Sequence, residues 1–401
     1  MLYFLLVLSG LSSLNALSQK ILATQIISND GYPVETHSVK TTDENHLTMF
    51  RIPYSPKLKL SEDNGKTSKR IALLVHGASS SSDCFILNGP ENSMAYILAD
   101  AGYDVWLANC RGNRYSNKDM ITWDFTFDQM AKYDMPAMID YALNLTGQTD
   151  LHYIAHSQGT TIYFALLSSF PRYNKVIRTA HLLAPAAYMN NIKLPVMKFL
   201  GYFYGFSPTL HSLVRGYNFW PDFTTELFAM LGAWACQEKQ TTRHICSNLL
   251  FSVCGYNPDR LNYSLLPKVM ATHPSGVSTR QTVHFSQLYV TGKFSKYDYG
   301  YLGNWFKYGQ WTPPEYNTEN IEARTYIYYA DNDYLSAPDD VFRIAREIKN
   351  VCLYHKLPDK SWNHMDYLWS TEVKQYINEP LRDYMLEFDS DRLRDCGSLE
   401  D

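Results

Sequence analysis

LHYIAHSQGTT, residues 151–161, is the stretch from which the fold can be worked out. Its first five residues are apolar or aromatic apart from His152, which suits a buried strand. His156-Ser157-Gln158-Gly159 follows, and then TTIYFALLSSF (160–170) reads as a helix packed through its apolar face. A serine on a sharp strand-to-helix turn has the geometry of a nucleophile elbow, which holds the serine in a strained backbone conformation. The residues two before and two after it must then be small. They are Ala155 and Gly159. The alternative is an ordinary serine in a strand–helix turn, and the apolar strand and helix on either side favour the nucleophile.

Outward from this turn the same grammar repeats. IALLVHG (71–77), YDVWLAN (103–109) and TAHLLAP (179–185) are short apolar runs that suit central parallel strands. Helical spacing covers 90–101, ended by Gly102, and 124–143, with Gly147 closing the connection. Alternating strand and helix predicts a doubly wound, mostly parallel α/β sheet. Upstream, 26–53 alternates in polarity as antiparallel edge strands do, and the polar stretch 55–70 reads as an exposed loop.

The pattern breaks after Pro185. Residues 188–316 are rich in aromatics, Gly and Pro, with short helical pieces. It resumes with ARTYIYYA (323–330), a helix over 338–349, VCLYHKL (351–357) and a last helix over 371–388. The expected organisation is a core of 19–187 and 317–401, interrupted by a cap inserted at 188–316.

A serine hydroxyl needs a base, an orienting carboxylate and donors for the oxyanion. In a sheet of this kind the order is serine, acid, histidine, with each residue in a loop beyond a strand end. His364 is the only histidine after His355, and His355 falls within a strand. Asp333 follows strand 323–330 at the right distance before the helix starting at Pro338, and is preferred to Asp331. Asp366 is expected to brace the His364 loop, and Asp339 and Asp340 to occupy a first helical turn, where the helix dipole favours them. The backbone N–H groups of Ala78 and Gln158 are the candidate oxyanion donors, with His76 in a structural role.

The chain carries a formal charge of −4, a pI near 6.3 and 19% charged residues, and it has no basic run to suit nucleic acid. Residues 1–18 form a short apolar stretch ending in small residues, which reads as a signal peptide cleaved after Ser18, with an uncleaved anchor as the alternative. Asn144 and Asn262 begin Asn-x-Ser/Thr sequons. Seven cysteines leave at least one unpaired, and none has zinc-ligand spacing. Leader, sequons and cysteines together predict a chain that leaves the cytosol.

The ordered motifs FRIPYS (50–55), VHG (75–77), LADAGYDVWLANCRGNRYS (98–116), LHYIAHSQGTT, LLAPAA (182–187), ICSNLLFSVCG (245–255) and WNHMDYLW (362–369) resemble the acid lipase family of gastric, lysosomal and insect enzymes. The resemblance covers nearly all of the chain after the leader and implies an α/β-hydrolase fold with a mobile lid in the cap. It places the nucleophile on Ser157, the acid on Asp333, the base on His364 and the oxyanion donors on Ala78 and Gln158. It also implies a Cys236–Cys246 disulfide with Cys254 free, and leaves Cys84, Cys110, Cys352 and Cys396 unassigned. The chain departs from gastric lipase at Ala155, where that enzyme has glycine, at Ala78-Ser79, which replace bulky apolar residues, and in a shorter segment between Arg114 and Phe125.

The expected activity is hydrolysis of neutral-lipid esters, triacylglycerols first and cholesteryl esters as a second candidate, by a secreted or lysosomal enzyme using no metal or organic cofactor. Its partner would be a lipid–water interface touched transiently, with no obligate protein partner and no nucleic acid. Most of the aromatic stretch 199–236 reads as the packed interior of the cap, and the sharper reading is apolar surface shielded in water and exposed at lipid. The competing readings are an esterase for shorter esters and a non-catalytic lipid carrier.

Overall fold

The computed structural model describes residues 22–390 except 59–68, 117–121, 195–196, 198, 200–215, 221 and 238–239, together with Cys396. The leader, part of the 55–70 loop, part of the shortened 114–125 segment and much of the aromatic stretch lie outside the described residues.

Eight strands form one sheet in the order β1-β2-β4-β3-β5-β6-β7-β8. These are β1 (Glu35–Lys40), β2 (His46–Ile52), β3 (Ile71–Val75), β4 (Asp104–Ala108), β5 (Leu151–His156), β6 (Ile177–Leu183), β7 (Arg324–Tyr329) and β8 (Val351–Lys356). β2 pairs antiparallel with both β1 and β4, and every other pair is parallel. β3, β4 and β5 are buried at every residue, which is why their sequences run apolar instead of alternating. β1 is mostly exposed and alternates, as an edge strand does.

The helices are α1 (Ala23–Asn29), α2 (Met94–Asp100), α3 (Met135–Thr146), α4 (Gln158–Ser169), α5 (Asp222–Ala235), α6 (Arg243–Cys254), α7 (Leu266–Thr272), α8 (Thr279–Thr291), α9 (Gly300–Tyr308), α10 (Pro338–Glu347), α11 (Asp366–Trp369) and α12 (Glu379–Asp389). α3 is preceded by a π-helical turn, Met130–Asp134, and ends at Gly147, whose φ of 69° caps it in the left-handed region. Residues of α3, α4 and α10 pack on one face of the sheet, and those of α1, α2, α11 and α12 on the other. α1 falls where the sequence suggested only strands. Its two buried residues, Ala23 and Ile27, are a single i, i+4 pair, too little periodicity to stand out.

The 188–316 segment has two characters. Cys236, Cys246, Phe251, Leu261 and Leu266 form a small core of their own, closed by the Cys236–Cys246 disulfide. Further on, Phe285, Leu288, Phe294 and Tyr316 join the main core, where Phe127 stacks on His284 of α8 at 4.0 Å between ring centroids. Residues 188–316 therefore comprise α5 and α6, which share a small core with α7, and a segment fused to the sheet layer, while α7 is itself tied to the second face of the sheet through Val269.

Candidate active site

The order of strands reverses around β3: the chain crosses from β3 to β4 on one side, then to β5 on the other. Ligands in such sheets bind beyond the carboxyl ends of the strands at this point. His76, Gly77 and Ala78 follow β3 there, and Ser157 follows β5 directly.

Ser157 has φ 53° and ψ −122°, a strained conformation for a residue with a side chain. Its N–H donates to the Leu183 carbonyl at 3.0 Å, and its carbonyl accepts from Thr160 N–H at 2.8 Å, fixing the turn at both ends. The small neighbours have a steric reason. A Cβ on Gly159 would lie 2.5 Å from the Val75 carbonyl oxygen, because α4 starts directly against β3. A Cβ on Gly77 would lie 3.0 Å from that of Ser157. Ala155 is wholly buried inside β5.

The three side chains picked from sequence converge. His364 Nε2 accepts from Ser157 Oγ at 2.8 Å, and its Nδ1 donates to both Asp333 oxygens at 2.9 Å. Asp333 is fully buried, and its Oδ1 also accepts the N–H groups of Leu335 and Ser336, both at 2.9 Å. Asp331 instead pairs with Lys356 at 2.8 Å on the surface. Asp366 Oδ2 accepts the Asn363 N–H and Asn257 Nδ2, each at 2.7 Å, behind the His364 loop, and burial raises its pKa to about 7.

Among the described residues, neither Ala78 N–H nor Gln158 N–H donates to a protein acceptor. Gln158 N–H is the first of its helix, where donors have no intrahelical partner. Its side chain accepts from Gln281 Nε2 of α8, tying α8 to the start of α4.

Two further histidines hold the loops around the trio. His156, kept neutral by burial, donates from Nε2 to the His364 carbonyl at 2.8 Å. His76 Nε2 accepts from Cys110 N–H at 3.2 Å and from Asn113 Nδ2 at 3.1 Å, so its proton sits on Nδ1, which donates to the Gly77 carbonyl at 2.8 Å. Burial lowers the His76 pKa to about 4. The sequence pointed to His76 as structural but gave no signal for the role of His156.

The 188–316 segment reaches the same loops. At the end of α6, the Cys254 carbonyl accepts the His364 N–H at 3.1 Å and the Tyr334 N–H at 3.5 Å. Gly255, φ 109°, follows, and a Cβ there would lie 2.1 Å from the Asn332 carbonyl oxygen. From the preceding segment, Trp220 Nε1 donates to Ser79 Oγ at 3.2 Å, beside Ala78. Cys254 is free and buried, as are Cys84 and Cys110. Cys352 pairs with Cys396, a bond the sequence left unassigned. Asn144 is exposed on α3, whereas Asn262 is half-buried and its Nδ2 donates to Asn88 at 3.3 Å. Among the described residues no His/Cys/Asp/Glu cluster could hold a metal ion.

Residues 23–89 match the partial alpha/beta-hydrolase lipase region, and residues 73–371 match the alpha/beta hydrolase fold. The chain is 40% identical to Lipase 3 of Drosophila melanogaster, over 90% of this chain and 92% of that protein. It is 37% identical to the gastric triacylglycerol lipase of Mus musculus, over 91% of each, and 36% identical to that of Homo sapiens, over 88% of each. An esterase from Exiguobacterium antarcticum shares the fold alone, with a TM-score of 0.50 at 12% identity over 88% of this chain and 100% of that one. The chain belongs to the family of gastric and acid lipases, built on the α/β-hydrolase fold.

Proposed function

We propose that the protein is a serine ester hydrolase acting on neutral lipids, triacylglycerols first, at a lipid–water interface. The observation that carries the reading is the continuous hydrogen-bonded line from Ser157 Oγ through His364 to buried Asp333. Ser157 Oγ attacks the ester carbonyl while His364 Nε2 takes its proton, and Asp333 holds the ring and stabilises the imidazolium. The oxyanion lies between the N–H groups of Ala78 and Gln158. His364 then protonates the departing alcohol, and the acyl-enzyme is hydrolysed by a water that His364 activates.

The lipid part of the reading rests on the cap. Leu227, Met230 and Trp234 of α5 are exposed at helical spacing, as are Ile245, Leu249 and Val253 of α6. Such stripes cost solubility unless they meet lipid. Residues 188–316 are accordingly proposed as the cap, with α5 and α6 as its lid. Two disulfides among the described residues suit an oxidising compartment, and we place the protein in secretion, with the lysosome as the alternative. No helix among the described residues is long and apolar enough to cross a membrane.

The esterase reading keeps one specific support, the small Ala78-Ser79 turn, on which Trp220 rests. Hydrolysis of emulsified long-chain triacylglycerol and of a soluble butyrate ester, by wild type and Ser157→Ala, separates the readings. Faster turnover of the emulsion, abolished in the variant, is the expected result. Preference for the soluble ester would favour the esterase, and equal activity of both proteins would sink the assignment of Ser157.

A further inference from the structure

α9 turns its apolar side outward. Tyr301, Leu302 and Phe306 are 74%, 68% and 84% exposed, and Trp305 is close to half exposed. At about 100° per residue, these four positions fall within roughly 140° of the helix circumference. The inward side carries Asn304, which is buried: its Nδ2 donates to Asp298 Oδ1 at 2.7 Å and to the Trp311 carbonyl at 3.1 Å, and its Oδ1 accepts the Tyr299 N–H at 2.9 Å. Polar inside and apolar outside is the reverse of what water asks of a surface helix. Exposed Trp311 stacks on Trp305 at 4.9 Å, which widens the patch. From position 299 to 314, Lys307 is the only charged residue.

We propose that α9 and the turn to Trp311 form a second lipid-interface contact, distinct from the α5–α6 lid. The chemistry of the patch selects this occupant over a protein surface. Trp and Tyr rings settle at headgroup depth, Phe and Leu reach the acyl region, and exposed Lys307, the one charge within 299–314, suits a phosphate-bearing surface. The patch is also linked through α8 to one further exposed apolar segment. Arg280 of α8 lies over the Tyr299 ring at 5.0 Å, and its neighbour Thr279 donates its N–H to the Tyr217 carbonyl at 3.0 Å. Tyr217 and Phe219 are themselves exposed, on the segment that carries Trp220 to Ser79. A contact here would fix how the cap sits on lipid while α5 and α6 move. The proposal rests on the lipid-surface reading given above and adds to it a residue-level site.

The test uses the full-length protein and the double variant Leu302→Ser/Phe306→Ser, whose side chains contribute little to the interior. Ile245→Ser/Leu249→Ser on α6 serves as the lid comparison. Binding to phosphatidylcholine vesicles, turnover of emulsified triacylglycerol, turnover of a soluble butyrate ester and the sedimentation coefficient are measured for all three. The expected result is that the α9 variant loses about fivefold or more in vesicle binding and emulsion turnover, as removal of two interfacial anchors implies. Its turnover of the soluble ester stays at the wild-type value. Unaltered vesicle binding in the α9 variant, with weakened binding in the α6 variant, overturns the α9 proposal and leaves the lipid-surface reading standing. A wild-type oligomer that the α9 variant dissolves, with binding unchanged, makes the patch a subunit contact and also overturns it. Wild type that neither binds vesicles nor turns over emulsion overturns both readings together.

Discussion

His76 reaches the reacting atoms only through a peptide plane. The Gly77 carbonyl that takes its Nδ1 proton belongs to the same planar group as the Ala78 N–H, and in a trans peptide the two point in opposite directions. Holding the carbonyl toward His76 therefore aims the N–H the other way, toward where the oxyanion would form. His76→Ala frees that plane and should lower kcat by about tenfold to a hundredfold, somewhat less than deleting an oxyanion donor outright. KM should change little, because the ground-state ester makes weaker use of the donor. Steady-state kinetics on a soluble ester check this, and a rise in KM at constant kcat would assign His76 to binding instead. The residue scale is also where the sequence was most legible. Ser157, Asp333 and His364 could be picked because each must follow a strand in a set order. His156 could not, since its partner is a carbonyl 208 residues away and nothing local marks that contact.

The loop between β8 and α11 shows how an element is held to serve a side chain. The Cys254 carbonyl at the end of α6 accepts the His364 N–H, His156 Nε2 donates to the carbonyl of the same residue, and Asp366 braces the loop from behind. Burial raises the Asp366 pKa from 3.8 to about 7, so the folded state favours the neutral acid. The sign follows from linkage: stability from this group is fully present below its unfolded pKa and is lost as pH rises through the folded one, between about pH 4 and 7. Asp366→Asn keeps an acceptor and removes the titration. Thermal melts of both proteins from pH 4 to 8 should show wild type losing stability relative to the variant across that window, with a constant difference above it. A difference that does not vary with pH would mean that Asp366 is ionised in the fold at every pH tested. At this scale the parallel strands were legible as unbroken apolar runs. The boundaries were less so: 90–101 shortens to Met94–Asp100, and the stretch from 124 hides a π-helical turn that no periodicity announces.

Across the whole molecule, one sheet carries two kinds of attachment. α8 and the chain after it share the main core, and Val269 anchors α7 in the second, whereas α5 and α6 rely on a core of five buried residues and one disulfide. A single aromatic-rich stretch of sequence gave no sign of that division, because composition reports that residues will be buried but not against which layer. The division has an energetic consequence. A core so small contributes little stability of its own, and losing a short-loop disulfide costs on the order of 2–4 kcal/mol. For α5 and α6 that is enough to populate local opening, whereas the sheet, with its two cores, remains folded. Cys236→Ser/Cys246→Ser should therefore be cut by a protease between 222 and 254 under native conditions, while its main calorimetric transition shifts by only a few degrees, as ~1 kcal/mol does in a large domain. Emulsion turnover should fall further than soluble-ester turnover, since Ser157, His364 and Asp333 all sit on elements outside the opened unit. The carbonyl of Cys254 sets a limit on that separation, because it holds the His364 loop from the end of α6. If soluble-ester turnover collapses together with emulsion turnover, and no proteolysis appears before global melting, then α5 and α6 unfold only with the sheet and the proposed lid is not an independent unit.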